Sequence, residues 1–430
     1  MQKEIIFFLK EMNSRVMEYS SPVRERSRKM KKLREMRNPL KYVQGRDALL
    51  SFCKETGYMG KKYLFICSHS AYEACHEKLE KSFEGSDKIR HYEIFGGISS
   101  ESEIAKMRKI VQENSIDTVV GVGGGSAVDT AKATAFYEKK QIVIIPTVVA
   151  TDAPCTGLSV IYHDDGSFKE YLFYPTNPDC VLVDSTVIAH APVRFLIAGM
   201  GDALGTYFEG RASLRTESPS LENAGIPGAG MVLAKYCYEN LKKFGEAAIV
   251  ACENHVVTKA LDNIIEACVY LSGVGADNVN VAAAHSFYNG LTSLGGHSAP
   301  HGNCVAFGTL VQLCLEGVKK EEFEEVQDFC VAVGLPITMA ELGNFSDADL
   351  HTIAKNACIP GETIHNLAGD VTETELYDAI IAADALGKKN RTAFVKRGKH
   401  NKVKHNKVKH KKLKHNIVKI LSIGEKAEIE

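Results

Sequence analysis

From Lys41 onward, short apolar runs alternate with stretches of helical spacing. Lys62 to Cys67 (KYLFIC) predicts a buried strand, followed by a helix with Ala71, Cys75 and Leu79 on one face. His91 to Phe95 (HYEIF) predicts a second strand. A Ser cluster then opens a helix carrying Ile104, Met107 and Val111 at helical spacing. Asp117 to Val122 and Gln141 to Pro146 (QIVIIP) predict two more strands, with a helix between them. Most of these strands are continuously apolar, and strand and helix alternate at short spacing, which predicts a parallel sheet covered on both faces. Leu158 to Tyr162 and the segment SFKEYLFY predict a hairpin with Asp165-Gly166 at its tip, and Cys180 to Asp184 (CVLVD) returns as a strand.

After Pro192 the pattern changes. Long helical periodicities run to about Leu386 and predict a mostly helical second domain. The pattern divides the chain into a basic arm (1–37), an α/β domain (38–191), a helical domain (192–387) and a tail (388–430). The tail repeats KHNKV, KHNKV, KHKKL and KHNIV. A period of five places apolar residues on no single face, so the tail is expected to be disordered, with its four histidines at most weak metal chelators. The arm is expected to be solvated.

Composition adds little until charge is mapped. The chain has 430 residues, 45% hydrophobic and 24% charged, with a formal net charge of -1. Residues 388–419 hold fourteen Lys/Arg and no Asp/Glu, so the body is acidic and the tail basic. No apolar run reaches the roughly 18 residues of a membrane span, and acids interrupt the apolar N-terminus, which argues against a signal peptide. Twelve cysteines without a CxxC pair read as reduced core thiols, so a cytoplasmic protein is expected. The tail could bind nucleic acid non-specifically, but it lacks aromatic residues for base stacking.

Four stretches carry candidate chemistry. Gly121 to Lys132 (GVGGGSAVDTAK) follows a strand and opens a helix, which suits a pyrophosphate cradle, with Ser126 and Asp129 in capping-box spacing. Neither the strict GxGxxG fingerprint nor a P-loop fits. Pro146 to Tyr162 leaves the C-terminal end of a strand, where open sheets bind ligands, and holds one carboxylate, Asp152. In Ala198 to Glu209 (AGMGDALGTYFE), Gly199, Gly201 and Gly205 interrupt a helical pattern, which predicts a close approach of backbone or ligand. Asp202 lies among small apolar residues and needs a metal or an Arg beside it; the residues leave that choice open. Ala282 to Gly308 gathers His285, His297 and His301 in a nearly uncharged segment. Pro300 argues against a regular helix joining the last two. One carboxylate with two imidazoles suits zinc or iron(II).

In combination, GGGSAVDTAK, PTVVATDAPCTGLSVIY, AGMGDALGTYFE, AAAHSFYNGLT, HGNCVAFGTLVQL, GLPIT and GETIHN resemble the glycerol-oxidising branch of the iron-containing (group III) alcohol dehydrogenase superfamily, over roughly Asn38 to Leu386. The resemblance implies a Rossmann-like NAD domain plus an all-α metal domain, a dehydroquinate synthase-like architecture, with a cleft between them. It implies metal ligands Asp202, His285 and His301 for Zn2+ (or Fe2+), with His297 left as a cleft residue. A substrate contact falls on Asp152. Cofactor contacts fall on Ser68, Gly125, Ser126, Ala127, Val128, Asp129, Thr147, Ala150, Thr156, Leu158 and Tyr162. Ser68 stands where relatives carry Asp, Ser126 where they carry Lys and Ala150 where they carry Ser. The implied activity is reversible, metal-assisted, NAD-dependent oxidation of glycerol to dihydroxyacetone, with 1,2-propanediol or another vicinal diol as the alternative. A homo-oligomer is expected, and no membrane partner. The site stretches lack the Lys/Arg cluster that a phosphorylated substrate would need.

Overall fold

Both faces of a six-stranded parallel sheet are covered, and its switch point sets the geometry of the molecule. The computed structural model describes residues 33–295 and 298–391. The first 32 residues, the repeat tail and His297 lie outside the described residues.

The strands are β1 (Lys41–Gly45), β2 (Lys62–Cys67), β3 (Ile89–Ile94), β4 (Thr118–Gly123), β5 (Gln141–Pro146) and β8 (Cys180–Asp184), in the order β1-β8-β5-β4-β2-β3. The short helix α1 (Phe52–Thr56) precedes β2. Helices α2 (His69–Ser82), α3 (Glu101–Asn114) and α4 (Gly125–Glu138) follow β2, β3 and β4. Ala71, Cys75 and Leu79 of α2 pack with Phe65, Val120 and Val143 on one face. Met107 and Val111 of α3 and Ala131 of α4 pack with Leu64, Ile66 and Val119 on the other. Thus the chain leaves β2 toward one face and β4 toward the opposite one. These two strands are neighbours, paired Cys67 to Val122 at their C-terminal ends. That divergence opens a crevice beyond the strand ends, where such sheets bind ligands.

The hairpin appears as β6 (Leu158–Tyr162) and β7 (Phe168–Phe173), antiparallel, with Gly166 at φ 85° in the turn. Strand β1 was not legible: KYVQG is half-buried along its whole length and has no apolar run. It is a strand because it pairs with β8 across a long sequence separation.

After the short helix α5 (Ser185–His190), the remainder is helical. Its elements are α6 (Val193–Arg215), α7 (Gly228–Glu253), α8 (Lys259–Glu266), α9 (Ser272–Val279), α10 (Ala283–Thr292), α11 (His301–Glu316), α12 (Lys320–Val333) and α13 (Asp347–Ala357). A last helix runs over 373–391. Helix α6 is the hub: Met200, Leu204 and Phe208 pack with Cys237 and Leu241 of α7 and Leu310 of α11, in a core that also reaches Ile144 and Val183 of the sheet. Among the described residues no helix is long and apolar enough to cross a membrane.

Two boundaries differ from expectation. The end of the arm is docked rather than solvated. The Arg37 N–H donates to Asn278 Oδ1 (2.9 Å), Asn278 Nδ2 returns a bond to the Arg37 carbonyl (2.7 Å), and the guanidinium donates to the Tyr174 carbonyl (2.7 Å). The last helix continues past residue 387, with Asn390 donating to Gln327 Oε1 (2.6 Å).

Candidate metal centre and cofactor crevice

The crevice is built from strand ends. Gly123 ends β4 with φ 153°, a region open to glycine, and a Cβ there would lie 2.9 Å from the Ala127 Cβ and 3.3 Å from Ser68 Oγ. Ser68 directly follows β2 and caps α2, its side chain accepting from the Ala71 N–H. Helix α4 starts at Gly125 with Gly124 as N-cap and no side-chain cap, so its first N–H groups face the crevice uncapped.

The expected capping box of Ser126 and Asp129 is absent. The helix begins one residue before Ser126, which lies inside it, and Asp129 is directed into the interior. There Asp129 Oδ2 accepts from the Val160 N–H (3.2 Å) and Oδ1 sits 3.3 Å from Lys132 Nζ. Burial pushes the Asp129 carboxyl up, and Lys132 opposes that shift. Of the five consecutive cradle residues, Gly125 and Ser126 are half-buried at the turn, while Ala127, Val128 and Asp129 are buried behind it.

The loop after β5 forms the other wall. The Thr147 N–H donates to the Gly123 carbonyl (3.1 Å), which ties the loop to the glycine turn. Ala150 follows at half burial, Thr156 is buried, and Leu158 and Tyr162 lie on β6. Burial raises the Tyr162 hydroxyl, helped by Asp129.

The loop is held by a residue that reading the sequence did not single out. Lys132, buried in α4, donates to the carbonyls of Ala153 (3.0 Å), Thr156 (3.4 Å) and Leu158. Asp277 of α9 holds the same loop by accepting from the Gly157 N–H (2.8 Å). A lysine in a run of small buried residues was the available signal, because a buried charge needs partners. Lys132→Met is expected to cost about 3 kcal/mol in denaturant unfolding, since Asp129 is left buried without its cation. Asp129→Asn in the same background should recover part of that loss.

Asp152, Asp202, His285 and His301 come together where the loop meets the helical domain. Asp202 lies in the middle of α6, His285 in the first turn of α10, and His301 is the first residue of α11 behind the N-cap Pro300. Regular helix thus begins at His301, directly behind Pro300. Asp202 Oδ1 is 3.0 Å from His301 Nε2 and 3.6 Å from His285 Nε2, and its carboxylate side chain is 2% exposed. One ligand atom from each of Asp202, His285 and His301 lies within 4.8 Å of the other two.

Close backbone packing makes this convergence possible. A Cβ at Gly302 would lie 1.8 Å from the Ala198 carbonyl oxygen, and one at Gly201 would lie 2.2 Å from the Gly302 carbonyl oxygen. A Cβ at Gly199 would lie 2.4 Å from the Val149 carbonyl oxygen, so α6 also presses on the loop that carries Asp152. The expected close approach is therefore helix against helix and helix against loop.

Asp152 bridges the domains. Its N–H donates to Asp202 Oδ2 (3.1 Å), and its Oδ2 accepts from Ser272 Oγ (3.0 Å). Burial raises the Asp152 carboxyl, and the neighbouring Asp202 charge adds to that. Burial alone would also raise Asp202, but the two imidazoles outweigh it and hold that carboxyl well below the usual range. His285 is pushed well above its ordinary value: burial opposes this, and Glu209 and Asp202 prevail. Such a cluster of one carboxylate and two imidazole nitrogens matches the donor set of a catalytic zinc site with an open position. The Tyr288 ring meets His301 edge-on at 4.3 Å and closes one side.

Comparison with known proteins gives concordant findings. Residues 39–185 match the iron-containing alcohol dehydrogenase family. The chain is 42% identical to a glycerol dehydrogenase of Pseudomonas putida over 358 residues, covering 83% of this chain and 98% of that one. The crystal structure of glycerol dehydrogenase from Schizosaccharomyces pombe superposes with a TM-score of 0.81 at 35% identity, covering 84% of this chain and 94% of that one. That of a probable glycerol dehydrogenase from Sinorhizobium meliloti gives 0.77 at 37%, covering 83% and 99%.

Proposed function

Because the chain belongs to the iron-containing alcohol dehydrogenase family, we propose that it oxidises glycerol to dihydroxyacetone, reversibly, with NAD as the hydride acceptor and zinc as the metal. The observation that carries this reading is the convergence of Asp202, His285 and His301 beside Asp152, at the mouth of a crevice walled by a glycine turn.

Asp202, His285 and His301 would hold the divalent metal. Bound there, it supplies Lewis acidity that makes an alcohol hydroxyl easier to deprotonate. A nicotinamide held in the crevice would supply the hydride-accepting chemistry. The chain's own residues position the reactants. The uncapped first turn of α4 offers N–H groups to a pyrophosphate, and Ser68 faces the same turn from the end of β2. Lys132 and Asp277 hold the loop so that Thr156 and Leu158 line the wall opposite. Asp152, anchored through its N–H and through Oδ2, keeps Oδ1 to accept from a substrate hydroxyl and orient it. A small, uncharged polyol fits a site whose nearest side chains are carboxylates and imidazoles.

The test is a diol panel on the purified protein, stripped with a chelator and reconstituted with Zn2+ or Fe2+, with NAD and NADP compared. Stripping should abolish NADH formation from glycerol, and Zn2+ should restore it. Faster turnover of 1,2-propanediol than of glycerol would move the assignment to another vicinal diol. Turnover of no diol under either metal would overturn it.

A further inference from the structure

Glu209 is fully buried, two turns after Asp202 on α6, about 10 Å along the axis. The His285 side chain spans that gap. Its Nδ1 lies 2.6 Å from Glu209 Oε2, and its Nε2 is directed at Asp202. The other oxygen, Oε1, accepts from two backbone N–H groups, those of Ala282 (2.7 Å) and His285 (2.9 Å). Space for the carboxylate comes from Gly205, where a Cβ would lie 2.9 Å from Oε2.

We infer that Glu209 is the positioning residue that fixes the His285 tautomer, keeping the proton on Nδ1 and leaving the Nε2 lone pair for the metal. This rests on the metal-site reading above. A neutral imidazole carries one N–H, and only its unprotonated nitrogen can bind a metal. A carboxylate can only accept, so it draws the proton to Nδ1. The two backbone donors make the arrangement directional. They require an acceptor at the Oε1 position, so no rotation of an amide placed there is harmless.

That directionality separates positioning from structure. Glu209 also supports the start of α10, where Ala282 as N-cap has no capping side chain of its own. Glu209→Gln keeps the shape, and its amide oxygen still meets the two backbone N–H groups. Its NH2 is then forced toward His285 Nδ1. Two donors cannot face each other, so Nδ1 becomes the acceptor and the proton moves to Nε2, where it blocks the metal. A purely structural role would survive this substitution.

The experiment measures Zn2+ affinity of the stripped full-length protein by competition with a chromophoric chelator, for wild type and Glu209→Gln. Asp202→Ala serves as the ligand-loss control. Glu209→Gln should bind tenfold to a hundredfold more weakly than wild type, with an unchanged far-ultraviolet spectrum. A change smaller than tenfold overturns the inference while leaving the metal site standing. Wild type that binds no better than Asp202→Ala overturns the metal-site reading and this inference with it. Should Glu209→Gln not fold, nitrogen-15 NMR of histidine-labelled wild type with Zn2+ decides. His285, assigned by the signals lost in His285→Asn, should carry its proton on Nδ1, and a proton on Nε2 overturns the inference.

Discussion

Asp202→Ala is expected to lower kcat/KM for glycerol by roughly a thousandfold or more, since a Lewis-acid metal is worth several kcal/mol to such a reaction. The geometry explains why this position outranks its neighbours. Asp202 faces both imidazoles, at 3.0 Å and 3.6 Å, and it also accepts the N–H of Asp152. Its removal takes away the proposed anionic ligand, leaves the half-buried His301 without the carboxylate it faces and His285 with Glu209 alone, and removes one of the bonds that tie the loop to the helical domain. A second readout follows from linkage. Zn2+ at a thousand times its dissociation constant should stabilise the wild-type protein by about 4 kcal/mol. The Asp202→Ala variant should show almost none of that shift in a denaturant titration. Wild-type levels of metal-dependent turnover, or a preserved Zn2+ shift, would remove Asp202 from the metal site.

Gly302→Ala carries the second large effect, although Gly302 offers no side chain to the site. The added methyl would lie 1.8 Å from the Ala198 carbonyl oxygen, against an ordinary contact of about 3.5 Å. Both partners are backbone on long helices, so no side chain can swing aside. Helices α6 and α11 must separate, and they carry Asp202 and His301, which stand 3.0 Å apart. The expected loss is on the order of 4 kcal/mol or more in unfolding free energy. Zn2+ affinity should fall with it in whatever fraction remains folded, measured by chelator competition. A folded variant with wild-type affinity would show that helix spacing does not set the ligand geometry. Conservative though it looks, the substitution tests whether the glycines of α6 and α11 exist for the metal centre.

The local elements were legible in the sequence wherever one residue pattern decides them. KYLFIC, QIVIIP and CVLVD are continuously apolar because both faces of their sheet are covered, and they are strands in the structure. The hairpin, the Ser100 cap of α3 and the change of texture at Pro192 were equally local. Two local patterns were misleading for physical reasons. KYVQG is a strand through pairing alone, and Ser126 with Asp129 mimicked a cap because Gly124 already begins the helix without a side chain.

The centre itself was only partly legible. Reading the residues left three histidines equivalent and left Asp202 a choice between a metal and an arginine; resemblance to a family ranked them. Only the tertiary structure brings α6, α10 and α11 close enough for Asp202 to meet His285 and His301, through backbone contacts at Gly201 and Gly302 that no side-chain pattern encodes. The same holds for Glu209 and Lys132. Each is a charged residue in a helix, and the sequence states its charge and its spacing. Whether that charge is solvated or directed at a half-buried imidazole or a loop carbonyl depends on what packs against the helix, and that is settled by contacts between residues far apart in the chain.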